Sequence, residues 1–179
     1  MRAGMALAGA LLAACAAIPA HQPGGDSPID CRPLPDETEL CLALAASGED
    51  RWSLRQRGKT AIPLRSLSFT DAGTASFGEF SISPTGRWLA VSIAEEGHPS
   101  LLFRSLDAVL EDAGNEPALP LIAIYPGSLR IEGWKNESTL IISSDQNLLR
   151  PGEGVLTDGQ RRYLVELPEG RIGPASLPE

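Results

Sequence analysis

The stretch that most constrains this chain is Phe80–Ala94, which reads FSISPTGRWLAVSIA. A short alternating run, Phe80–Ser83, and a longer, mostly apolar run, Trp88–Ala94, flank Pro84-Thr85-Gly86. Proline presets φ for a turn and glycine accepts positive φ. Alternation bounded by such residues is the signal of paired strands. The pattern recurs upstream at Pro35–Ala43 (PDETELCLA) and downstream at Trp134–Ser144 (WKNESTLIISS).

The spacing makes the recurrence checkable. Pro35 and Pro84 lie 49 residues apart. The same offset equates Leu40 with Leu89, Trp52 with Leu101, Leu54 with Phe103 and Arg55 with Arg104. An offset of 52 residues carries Ile82 to Trp134, Pro84 to Asn136 and Leu89 to Ile141. Repeats of about 40–50 residues with several strands each are the period of propeller blades. The expected fold is therefore all-β, with three blade-like antiparallel meanders over residues 36–167. They would form an incomplete or flattened propeller, because closed propellers need at least four blades. A small β-sandwich is the alternative.

Strands are expected at Glu39–Ser47, Arg51–Arg57 and Thr60–Leu67 in the first unit. Pro63 suits an edge or a bulge. The second unit takes Ser76–Ser83, Trp88–Ala94, Ser100–Leu106 and Leu119–Tyr125, with a helical turn near Asp107–Gly114. The third takes Ser128–Trp134 and Thr139–Ser144. A polar insertion follows at Asp145–Gly154, then a hairpin through Asp158-Gly159 that pairs Val155–Thr157 with Arg161–Leu167. The tail, Pro168–Glu179, reads as irregular.

Ile82-Ser83-Pro84-Thr85-Gly86-Arg87-Trp88-Leu89-Ala90-Val91 resembles the Ser-Pro-Asp-Gly-Lys/Arg-x-Leu-Ala-Phe motif of β-propellers of the Tol-system and prolyl-peptidase type. Thr85 stands where that motif has Asp. Trp134-Lys135-Asn136-Glu137 resembles a degraded copy of its start. The resemblance implies a structural role, with Leu89 and Val91 facing an adjoining sheet.

The N-terminus supplies an address. Arg2 precedes an apolar run from Ala3 to Ala14, too short to span a bilayer and of signal-peptide form. Leu12-Ala13-Ala14-Cys15 resembles the lipobox of bacterial lipoproteins. That resemblance implies a signal peptide over residues 1–14, lipidation at Cys15 and a membrane anchor, since two or more acyl chains hold stably. Ala16 follows, without the Asp that favours inner-membrane retention in enteric-type lipoproteins. The implied location is the outer membrane, facing the periplasm. Residues 15–35, rich in Pro and with Gly24-Gly25, read as an extended tether.

Cys31 and Cys41 remain, and an exported pair of thiols is expected to bridge. No metal is expected there, because no further Cys or His stands at ligand spacing. Net charge is −8, which gives no electrostatic footprint for nucleic acid. No cofactor pattern is present. Gly-x-Ser-x-Gly is absent, and Thr74–Gly78 (TASFG) lacks its first glycine. A phosphate-binding loop is absent as well. His98 beside Glu95 and Glu96 could serve as a general base, which would place a hydrolase site there.

Arg51, Arg55, Arg57 and Arg104 are the expected binding face, since arginine suits acidic protein partners. The turn around Glu95, Glu96 and His98 and the insertion Asp145–Gly154 are further candidate contacts. The expected function is thus a protein-binding module rather than an enzyme, an inhibitor or immunity protein being one version. A structural component of an envelope assembly is the alternative.

Overall fold

The computed structural model describes residues 28–45, 49–64, 69, 75–95, 97–111, 120–124, 126–159 and 161–175. The leader, Cys15, Glu96, and residues 112–119 of the loop lie outside the described residues, as does the tether up to residue 27.

Alternation along each strand builds three antiparallel sheets. In the first, β1 (Pro28–Pro33), β2 (Thr38–Leu44), β3 (Asp50–Gln56) and β4 (Ile62–Leu64) follow in chain order. Pro63 lies on the edge strand, where its missing N–H costs no ladder bond. The second sheet holds β5 (Ala75–Ile82), β6 (Trp88–Glu95), β7 (His98–Ser105) and β8 (Leu121–Ala123). Two more strands extend it, β11 (Leu148–Arg150) and β12 (Gly154–Val155). The third sheet is β14 (Arg171–Pro174), β13 (Arg162–Glu166), β10 (Thr139–Ser144) and β9 (Leu129–Asn136). A short helix, α1 (Leu106–Leu110), follows β7. No sheet closes on itself.

The second sheet is the middle layer. Leu89, Val91 and Ile93 pack with Leu40, Leu42 and Trp52 of the first sheet. Ala90, Leu101 and Phe103 pack with Leu140, Ile142 and Val165 of the third. Burying each such leucine or isoleucine is worth about 1.5–3 kcal/mol. Trp52 anchors the first interface, edge-on to Phe80 with ring centroids 5.0 Å apart.

The units stack in one sense. Trp52 faces the second sheet, and its counterpart 49 residues on, Leu101, faces the third. In the second strand the correspondence slips by one residue. The β5–β6 turn lies between Ile82 and Leu89, one residue longer than the β1–β2 turn between Pro33 and Glu39. Leu40 therefore matches Ala90 rather than Leu89, and a one-residue shift exchanges the faces of a strand.

Four expectations are corrected. The sequence places the tether up to residue 35, but Pro28–Pro33 is the opening strand of the first sheet, held by the Cys31–Cys41 pairing. The tail from Pro168 reads as irregular, but Arg171–Pro174 pairs with β13 and forms an edge of the third sheet. Asp145–Gly154 reads as a polar insertion, but it holds β11, which pairs with β8 of the middle sheet. Val155 pairs back onto β11 and not onto β13, so Asp158-Gly159 joins two sheets and is not a hairpin turn. Only β11 takes a partner distant in sequence, β8; the other strands pair with the segment next to them in the chain.

Candidate functional site

Three hairpin turns gather at one end of the stack. Asp36 shapes the first, its Oδ1 accepting hydrogen bonds from the hydroxyl and the backbone N–H of Thr38. Those two bonds hold the Asp36 carboxyl below the usual carboxylate range. Glu37 takes φ 64°, the left-handed conformation that completes the turn. The second turn, at Ser83–Arg87, is capped from the third. Glu137 Oε1 accepts from Ser83 Oγ at 2.8 Å, and Oε2 accepts from the Thr85 N–H at 2.8 Å.

Beside the first turn, on the outer side of the first sheet, lies an open groove of about 620 Å³. Arg55, Arg57 and Lys59 supply its cations, and Glu37 and Glu39 its carboxylates. Glu39 and Arg55 are cross-strand neighbours, yet no ion pair within 4 Å joins either Arg55 or Arg57 to a carboxylate among the described residues. The outer face of the third sheet differs. There Arg162 pairs with Glu132 at 2.6 Å and Arg171 with Glu166 at 3.2 Å.

The predicted binding residues do not form one surface. Arg51, Arg55 and Arg57 are exposed, and Arg51 and Arg55 share the outer face of β3. Four residues of strand separate Arg51 from Arg55, about 13 Å. Arg104 is on the wrong side for that surface: it pairs with Leu89, which faces the first sheet. Its guanidinium stacks on Phe69, 5.1 Å from the ring centroid. Arg55 and Arg104 are indeed equivalent positions, and that equivalence separates them. In a same-sense stack the matching face of the second unit is covered by the first.

His98 and Glu95 sit at the far end of the stack, as the closing pair of the β6–β7 hairpin. The sequence places His98 in the turn, but it belongs to β7. Gly97 at φ 84° makes a two-residue connection sufficient. His98 is exposed. The insertion is likewise held in place. Arg150 binds Glu153 and the Gly170 carbonyl, tying β11 to the β13–β14 turn.

Cys31 and Cys41 face each other across β1 and β2 and are disulfide-bonded, with Cα atoms 4.1 Å apart. Glu39 lies close by, so the three could group around an ion. The disulfide removes both thiolates as ligands. Lys59 and Glu37, absent from the sequence-level site, enter it because two turns meet. Their only signal in the chain is proximity to Pro35 and Gly58 turn residues.

No family model matches the chain, and no curated protein matches it. Among solved structures, a chain from a structural and mechanistic analysis of two prolyl endopeptidases is similar, at TM-score 0.38 and 11% identity. The match covers 78% of this chain and 32% of that one. So slight a likeness carries no argument about fold or chemistry. Among the described residues no helix is long and apolar enough to cross a membrane.

Proposed function

We propose that the protein is a lipid-anchored module of the bacterial envelope that binds another protein through the outer face of its first sheet. The single observation that supports this reading is the exposure of Arg55 and Arg57 without an ion pair among the described residues, on the side of the first sheet turned away from the stack. The outer face of the third sheet differs, its Arg162 being paired with Glu132. Lipidation at Cys15 would hold the domain at the outer membrane, facing the periplasm. An inhibitor or immunity role fits a small anchored binder of this kind.

The test is crosslinked capture from envelopes, with the anchored protein and a Cys15→Ala control released into the periplasm. One stoichiometric partner, lost when Arg55 and Arg57 are both changed to Glu, supports the reading. A protein that stays monomeric and captures nothing sinks it.

A further inference from the structure

We infer that the groove beside β3 holds an extended acidic protein segment, whose alternate carboxylates meet Arg55 and Arg57 while Lys59 adds a third cation. The inference rests on the binding-module reading and names the chemistry of its partner.

Charge carries it first. The chain is net acidic at −8, yet three exposed cations line this one groove. None of them has an ion-pair partner within 4 Å among the described residues. Arg55 and Arg57 are one residue apart, at the end of β3 and just beyond it. Alternate residues of extended chain lie about 6.6 Å apart, so a strand laid alongside presents matching side chains at that spacing. Each guanidinium offers a planar fork that takes a carboxylate through two parallel hydrogen bonds.

The groove also selects against a flat anionic surface. Glu37 and Glu39 also line it, Glu39 directly across the strand pair from Arg55, and a bilayer of acidic headgroups would meet them together with the arginines. A narrow segment escapes that repulsion. Its carboxylates come singly, alternating with neutral residues, so fewer negative charges approach Glu37 and Glu39 than a lipid surface would bring. The volume, about 620 Å³, is within the range of ligand clefts. A second copy of this chain fits poorly. The carboxylates on the outer face of its third sheet are already engaged among the described residues, Glu132 by Arg162 and Glu166 and Glu169 by Arg171.

The test uses the purified full chain and a short fluorescent peptide of alternating threonine and glutamate, read by polarisation. A peptide with glutamine for glutamate is the control. Vesicles rich in phosphatidylglycerol form a separate arm. The glutamate peptide is expected to bind, more weakly as salt rises, and the glutamine peptide not to bind. Arg55→Gln with Arg57→Gln should weaken binding about threefold to thirtyfold, the sum of two exposed ion pairs. Lys135→Gln, away from the groove, should leave it unchanged. Arg55→Lys with Arg57→Lys keeps the charge and loses the forks, so an intermediate loss is expected even if the Gln variant folds poorly.

Vesicle binding through the same arginines without peptide binding overturns the inference in favour of a membrane contact. Equal binding of both peptides, or of neither, overturns it as well. A stoichiometric envelope partner that survives loss of both arginines refutes this site while leaving the protein a binding module.

Discussion

Glu137 and Ser83 are hydrogen-bonded at 2.8 Å across 54 residues of sequence, so the turn of the third unit caps the turn of the second. Ser83 Oγ in turn accepts from the N–H groups of Arg87 and Trp88, and the Thr85 N–H donates to the other Glu137 oxygen. One carboxylate thus orders the Pro-Thr-Gly turn. Burial pushes the Glu137 carboxyl up, but the hydrogen bonds from Thr85 and Ser83 outweigh it and hold the group below its ordinary value.

A depressed folded-state pKa contributes stability above the ordinary carboxylate range, and that contribution is lost as pH falls through the folded value. Glu137→Gln should cost about 1 kcal/mol at neutral pH, the modest end for a bond to a charged group because solvent is near. The difference from the parent should shrink below about pH 4. Urea midpoints at neutral and acid pH measure both; a gap that is constant with pH would contradict the assignment.

Asp50 is buried, and its Oδ2 accepts from Trp52 Nε1 at 2.6 Å and from the Phe69 N–H at 2.9 Å. Asp50→Ala should cost roughly 2–4 kcal/mol, because two buried donors lose their acceptor. Asp50→Asn keeps one acceptor oxygen and should cost less. Equilibrium denaturation ranks the two variants.

Gly86 adopts φ +78°, and a Cβ there would lie 2.9 Å from Pro35 Cδ. Gly86→Ala should destabilise by about 1–2 kcal/mol through both strain and contact. Pro35→Ala should relieve only the contact. The double variant therefore should cost less than the two single changes added together, as a double-mutant cycle would show.

The Cys31–Cys41 disulfide closes a loop of sequence separation 10 and holds the opening strand. Replacing both cysteines by alanine should cost roughly 2–3 kcal/mol, lowering Tm by about 5–10 °C. Calorimetry with and without reductant checks it, and the double variant should be insensitive to reductant.

Periodicity and turn chemistry made much of the fold legible. Phe80–Ala94 is a hairpin and Pro63 is on an edge strand, both from patterns within a few residues, while Leu89 and Val91 facing an adjoining sheet is what the motif resemblance implies. The arginines of β3 were legible for the same reason, since strand alternation places Arg51 and Arg55 on one face.

What local pattern could not decide was which weakly patterned segments would find a strand to pair with, and on which sheet. Pro28–Pro33 has no strand-like composition and becomes a strand because Cys31 lies opposite Cys41. Leu148–Arg150 had two sheets within reach and joined the middle one, where Leu148 is buried. Arg55 and Arg104 look interchangeable along the chain. Only the stacking order exposes one and puts the other beneath a neighbouring sheet, because each sheet has two faces and the sequence of one unit does not say which will be covered.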